Sequence, residues 1–195
     1  MKYYLIAGEA SGDLHGANLM KGLLKADPQA RFRFWGGDKM AAVGGAENLA
    51  MHYKKASFMG FVEIAKNLRT FLGQIAACKE DVAAYRPDVL ILIDYAGFNL
   101  RMAKFAKEHG IPPYHYIPPK AWPRTESRVD KLRQYVDRPF VIFPFEPAWF
   151  RRHGLHTLYA GHPPLDPLAP HPPTLRPSAR PIADTPITRR PTLPP

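Results

Sequence analysis

A single cysteine, Cys78, stands in the 195 residues of this chain. One thiol cannot build an internal disulfide framework or an all-cysteine metal site, and such scarcity suits a reducing compartment. Long apolar runs are missing as well. No stretch approaches the roughly 18 uncharged apolar residues of a spanning helix, and Gly8 and Glu9 arrive too early for a signal-peptide pattern, so a cytoplasmic protein is expected. Acidic residues are in short supply: Asp and Glu number 17 against 27 Lys and Arg, a formal charge of +10. That excess predicts an anionic partner, whether a phosphate, a nucleotide or an acidic membrane surface. His115, His153, His156 and His162 lack the i, i+4 spacing with a carboxylate that a metal site needs, and no metal is expected. Arg124, Arg128, Lys131 and Arg133 fall together on an expected helix, as a solvated face or a phosphate contact. Aromatic residues do not interleave with them as on a nucleic-acid platform, so nucleic acid is not an expected partner.

What is present is an alternation of apolar runs and helical patterns, the signature of a parallel sheet with crossover helices. Strands are expected over 3–7, 31–35, 89–93, 114–117, 140–143 and 157–160. A first helix is expected over 13–25, with Leu14, Ala17 and Leu24 on its apolar face. A longer one over 63–85 would bury Ile64, Leu68, Leu72, Ile75 and Val82. The continuous Val89-Leu90-Ile91-Leu92-Ile93 run predicts a central strand buried on both faces. Residues 163–195 differ in character, with twelve of the 22 prolines and no Phe, Trp or Tyr. Proline removes backbone donors and biases its predecessor toward extended backbone, so the expected organisation is an α/β domain over 1–162 and a disordered tail over 163–195.

Behind the first apolar run comes Gly8-Glu9-Ala10-Ser11-Gly12-Asp13-Leu14-His15-Gly16, a glycine-spaced polar turn at the carboxyl end of a strand, where open α/β sheets hold ligands. The glycines would let the chain turn tightly and a substrate approach the backbone, and Ser11 or Asp13 could cap the following helix. Ser11 is displaced by one from the Gly-x-Ser-x-Gly elbow of α/β-hydrolases. The spacing also misses the Gly-x-x-x-x-Gly-Lys and Gly-x-Gly-x-x-Gly patterns. A looser fit would leave a nicotinamide cofactor with Asp38 as its ribose contact. Asp94 directly follows the central strand; a carboxylate there could take a proton from a substrate hydroxyl or cap the next helix. The run Ala56-Ser57-Phe58-Met59-Gly60-Phe61-Val62, flanked by Lys54, Lys55, Lys66 and Arg69, reads either as core or as a patch for acyl chains and an anionic membrane.

Six motifs in order resemble one family. They are Leu5-Ile6-Ala7-Gly8-Glu9-Ala10-Ser11-Gly12-Asp13; Met59-Gly60-Phe61-Val62-Glu63; Ile93-Asp94-Tyr95-Ala96-Gly97-Phe98-Asn99; Tyr116-Ile117-Pro118-Pro119-Lys120-Ala121-Trp122; Phe143-Pro144-Phe145-Glu146; and Gly161-His162-Pro163. Their order is similar to that of the lipid-A-disaccharide synthases, glycosyltransferase family 19. The resemblance implies the Rossmann-like N-terminal domain of a GT-B glycosyltransferase, with helices on both faces of a parallel sheet. It implies transfer from UDP-2,3-diacylglucosamine to the 6-hydroxyl of 2,3-diacylglucosamine 1-phosphate, with UDP released, on the cytoplasmic face of a Gram-negative inner membrane. No cofactor is implied, and a homo-oligomer is compatible with it.

Under the resemblance Asp94 matches the candidate base. Glu9, Ser11, Asp13 and Asn99 would position the acceptor, and Phe58, Met59, Phe61 and Val62 would meet acyl chains and membrane. Departures are Pro123-Arg124 after Trp122 and the added prolines Pro139 and Pro147. The Gly-Ser-Arg loop and glycine-rich segments that hold the UDP-sugar in the family are not found after Pro163. The expectation is therefore a truncated or frame-shifted chain, inactive alone. A non-catalytic module that binds acyl-sugar or membrane is the alternative.

Overall fold

The structure is a computed structural model, and it describes residues 1–56, 68–119 and 126–161. In chain order the elements are β1 (Lys2–Ala7), α1 (Ala10–Ala26), β2 (Arg31–Gly36), α2 (Asp38–Gly44), a 3₁₀ turn (Ala46–Asn48), β3 (Leu49–His52) and α3 (Tyr53–Ala56). Then come α4 (Leu68–Tyr85), β4 (Val89–Ile93), α5 (Ala96–Glu108), β5 (Pro113–Tyr116), α6 (Glu126–Tyr135), β6 (Arg138–Val141), α7 (Glu146–Arg152) and β7 (Leu158–Tyr159). The expected tail and the apolar segment with Phe58, Met59, Phe61 and Val62 lie outside the described residues.

All neighbouring strands run parallel, in the order β3-β2-β1-β4-β5-β6-β7. The chain winds outward from β1 to β3, then crosses back so that β4 pairs with the other side of β1. The two central strands thus carry successive side chains into two separate cores. Tyr4, Ile6, Leu90 and Leu92 join α4, α5 and α6 through Ile75, Cys78, Val82, Met102 and Leu132. Leu5, Ala7, Ile91 and Ile93 join α1 and α2 through Ala17, Met20 and Met40. Asp81 ties α4 to the sheet: it accepts from the Tyr4 hydroxyl at 2.6 Å and takes the Arg33 guanidinium side-on, with Nε at 2.8 Å and Nη2 at 2.6 Å.

Several expectations change. The edge strand β3, with the short run Leu49-Ala50-Met51, is not among the expected strands and pairs with β2. β6 lies two residues earlier than its apolar run implies and contains Pro139, while Pro147 sits in the first turn of α7, where its missing N–H leaves no helical bond unmade. In α4 the buried face is Phe71, Ile75, Cys78 and Val82; Leu68 and Leu72 are 53% and 51% exposed. In α1, Leu14 is exposed while Ala17 and Met20 enter the core. Helical spacing defines the angle between faces, and only the position of the sheet decides which face is covered.

Candidate active site at the carboxyl edge of the sheet

β1 and β4 are neighbours whose following segments diverge, α1 to one face and α5 to the other. This makes a topological switch point, and its crevice opens between Gly8 and Asp94, since Ala7 and Ile93 are register partners. Three of the four non-glycine residues with left-handed backbone among the described residues lie along the same edge: Asp94 (φ 48°), Tyr95 (φ 47°) and Ile117 (φ 59°). Such conformations cost roughly 1–3 kcal/mol each and persist only where neighbours fix them. Here the neighbours are identifiable. The Asp94 N–H donates to the Tyr116 carbonyl at 3.1 Å, and the Ile117 N–H donates to the Phe140 carbonyl at 3.0 Å. The Asn99 side-chain amide donates to the carbonyls of Asp94 at 2.7 Å and Ile93 at 3.2 Å. The backbone of Asp94 is held from both sides while its carboxylate stays exposed.

Asn99 lies beneath the turn. It is fully buried, and its amide nitrogen is committed to the turn, where it holds the backbone of Asp94. Asp13 also lies beneath the edge. It is 2% exposed, and its carboxylate accepts from the N–H groups of Gly37 at 2.7 Å, Lys39 at 3.0 Å and Met40 at 3.0 Å, so it caps α2 from within α1. Glu9 occupies the N-cap position of α1, which neither Ser11 nor Asp13 does. Glu9 and Ser11 remain exposed on the rim, at the start of α1. Asp94, Glu9 and Ser11 are therefore brought to one edge, and Asp13 and Asn99 support it from below.

The glycines also serve differently than the turn reading implies. Gly12 and Gly16 lie inside α1, where a Cβ would meet Ala7 Cβ at 3.2 Å and Met40 Sδ at 2.6 Å respectively; they let the helix lie close on the sheet. Gly8 is the one glycine of the turn itself, and a side chain there would collide with the Tyr95 ring. That ring covers the backbone a pyrophosphate would need to approach, which removes the dinucleotide reading. Asp38, its proposed ribose contact, faces His52 Nε2 at 3.4 Å and Lys54 Nζ at 3.6 Å.

Tyr95 is a residue of this site that the sequence reading passed over. It stacks on Phe98 with centroids 5.2 Å apart, and Phe98 continues the aromatic column to Trp35 at 5.2 Å. Burial and then the Glu9 carboxylate push its hydroxyl pKa up, so it stays a hydrogen-bond donor at neutral pH. The signal was its place between Asp94 and Ala96 in a strand-to-helix turn. Across the edge, Glu146 is buried, and its Oε2 accepts from the N–H groups of Ile142 at 3.1 Å and Phe143 at 2.9 Å, closing the loop after β6. No group of three metal-binding side chains occurs among the described residues.

A doubly wound parallel sheet with an exposed carboxylate clamped at its switch point defines a Rossmann-like domain. Among solved structures, a UDP-GlcNAc 2-epimerase from Neisseria meningitidis, bound to UDP-GlcNAc, is similar in fold, with a TM-score of 0.57 at 12% identity over 83% of this chain and 46% of that one. The chain belongs to the lipid-A-disaccharide synthetase family, whose sequence model matches residues 3–185. It is 39% identical over 162 residues to the lipid-A-disaccharide synthase of Syntrophus aciditrophicus, covering 83% of this chain and 42% of that protein. With the synthase of Hydrogenovibrio crunogenus it shares 37% identity over 186 residues, 94% of this chain and 49% of that one. The chain thus spans less than half the length of these relatives. The family match runs past the point near Pro163 where the sequence reading places the loss of family character.

Proposed function

We propose that this chain forms the acceptor side of a lipid-A-disaccharide synthase. The donor is UDP-2,3-diacylglucosamine, and the acceptor 2,3-diacylglucosamine 1-phosphate lies across the switch-point crevice. The Asp94 carboxylate takes the proton of the acceptor's 6-hydroxyl, and that oxygen attacks the donor's anomeric carbon from the face opposite the nucleotide. UDP leaves with the bonding pair, and inversion gives the β-1,6 linkage. The observation that carries this reading is the strained turn that presents the exposed Asp94 carboxylate in a chain of this family. Glu9 and Ser11, on the opposite lip, position the acceptor, and the Tyr95 hydroxyl is a donor within the same crevice.

The hydrophobic portion of such substrates calls for an apolar surface. Phe58, Met59, Phe61 and Val62 are assigned that role, and the exposed Leu68 and Leu72 that open α4 just after them support it. Together with the formal charge of +10, such a surface supports a seat on the cytoplasmic face of a Gram-negative inner membrane. No described helix is long and apolar enough to cross a membrane.

The test is replacement of the aspartate matching Asp94 by asparagine in a complete relative such as the Syntrophus protein. Loss of a general base costs about 10²- to 10⁴-fold in turnover with little change in KM. Turnover within a fewfold of normal would reject the assignment.

A further inference from the structure

α5 and α6 enclose a groove of about 470 Å³ that begins at Ala96 and Gly97, directly after the Asp94 turn. Four cations line it, Arg101 and Lys104 from α5 and Arg128 and Lys131 from α6, and among the described residues no lining side chain is acidic. Neither helix alone produces this arrangement. In the sequence the basic residues of α6 read as a solvated face or a phosphate contact, and packing against α5 sets Arg128 and Lys131 opposite a second basic pair.

Two of the cations are held in place. Arg101 donates through Nη1 to the Gly97 carbonyl at 2.7 Å, and its guanidinium lies 5.3 Å from the centroid of the Phe71 ring. Lys104 Nζ lies 3.7 Å from Glu108 Oε1 and 6.0 Å from the centroid of the Tyr135 ring, which forms part of the same wall. The mouth of the groove is the first turn of α5, where no side chain caps the helix, so the positive end of its dipole adds to the four side chains. Like charges gathered around one cavity repel one another, and an anion seated among them relieves that repulsion.

We propose that this groove is a phosphate-binding site that takes the phosphate group of a lipid-linked ligand. Its place beside Asp94 fits the 1-phosphate of the acceptor sugar, an assignment that rests on the function proposed above. A phospholipid headgroup offers the same chemistry, and the two sources are separable by experiment. Arginine and lysine on facing helices can grip a phosphate from two sides, with the α5 terminus on a third.

The test uses the 195-residue chain, with glucosamine 1-phosphate in calorimetry as one probe. The other is flotation with phosphatidylcholine vesicles with and without phosphatidylglycerol. The expected result is binding in at least one arm, weakened roughly tenfold or more in the R128Q/K131Q variant. The K21Q/K25Q variant removes the same charge from α1 and is expected to stay within about twofold, because α1 lies on the opposite face of the sheet. Should R128Q/K131Q unfold, the single K131Q variant, on an exposed residue, is read in its place. Binding of the sugar phosphate assigns the groove to the acceptor, and binding of anionic vesicles alone assigns it to a headgroup. No binding in either arm, or equal loss in the two double variants, overturns the proposal. Turnover of the Asp94→Asn change in a complete relative reads the Asp94 assignment, and probe binding by R128Q/K131Q reads the groove, so failure of the one and failure of the other are told apart.

Discussion

Asp94 joins two properties that rarely meet, a left-handed backbone on a non-glycine residue and an exposed carboxylate. Glycine would take up this backbone without strain, so an aspartate there, beside a second left-handed residue, Tyr95, points to the side chain as the reason. The strain is carried by Asn99, whose amide reaches both carbonyls of the turn. Asn99→Ala is expected to leave those carbonyls unpaired in a buried place and to lower stability by about 2–3 kcal/mol, read as a shift in the urea midpoint. In a complete relative the same change is expected to lower kcat well beyond any effect on KM, because Asn99 is buried and bonds to the backbone of the turn. An unchanged urea midpoint would show that the turn holds itself. From sequence, Asn99 and Asp94 look like two site groups of the same kind. Only burial separates the exposed carboxylate from the residue that holds its backbone.

Among the elements, α1 depends most on its neighbours. Gly12 and Gly16 let it approach β1, β4 and α2, and Asp13 reaches out of it to cap α2 with three N–H bonds. Asp13→Asn removes the charge and turns one acceptor oxygen into a donor facing the Lys39 N–H. A loss of about 3 kcal/mol is expected, with fraying of α2 seen as faster amide exchange at Lys39 and Met40. Amide exchange equal to that of the unmodified chain would rule the cap out. The residue types at 8–16 were legible as a special segment at a strand's end. Their roles were not, because a cap that joins two helices and a glycine that meets a side chain 87 positions away have no local signature. The same holds for α6, whose basic face acquires meaning only opposite α5.

At the scale of the molecule, two cores share one sheet, and one of them contains a histidine. His115 lies on β5 in register with Leu92, fully buried, and neither ring nitrogen has a hydrogen-bond partner among the described residues. Burial pushes its pKa down to about 4, and the adjacent Tyr116 backbone opposes this only weakly. An unfolded chain would protonate the same ring near the ordinary value of about 6.5. Between those values the unfolded state binds the proton and the folded state does not. Stability is therefore expected to fall as pH drops from about 6.5 toward 4, by roughly 3 kcal/mol in total, and to be insensitive to this group above that window. Urea midpoints at pH 7.5 and pH 4.5 measure it, and His115→Phe is expected to shrink the difference between them. A difference of the same size in both proteins would place the proton elsewhere.

The sequence by itself determined the class of fold and the place of the site. The alternation of apolar runs and helical periods admits little but a parallel sheet, and the carboxyl ends of β1 and β4 were marked by Gly8 and Asp94 before any coordinates. Family membership was carried by short motifs whose order survives in a linear text. Tertiary structure alone decided which polar residues face the crevice and which lie under it, which helix faces are covered, and which cations converge. Those distinctions are made by residues far apart in the chain that the fold brings together, such as Asp13 with Gly37, Gly8 with Tyr95, and Arg101 and Arg128 lining one groove. Local propensity and periodicity fix what a segment becomes, while burial and partnership depend on what the rest of the chain lays against it.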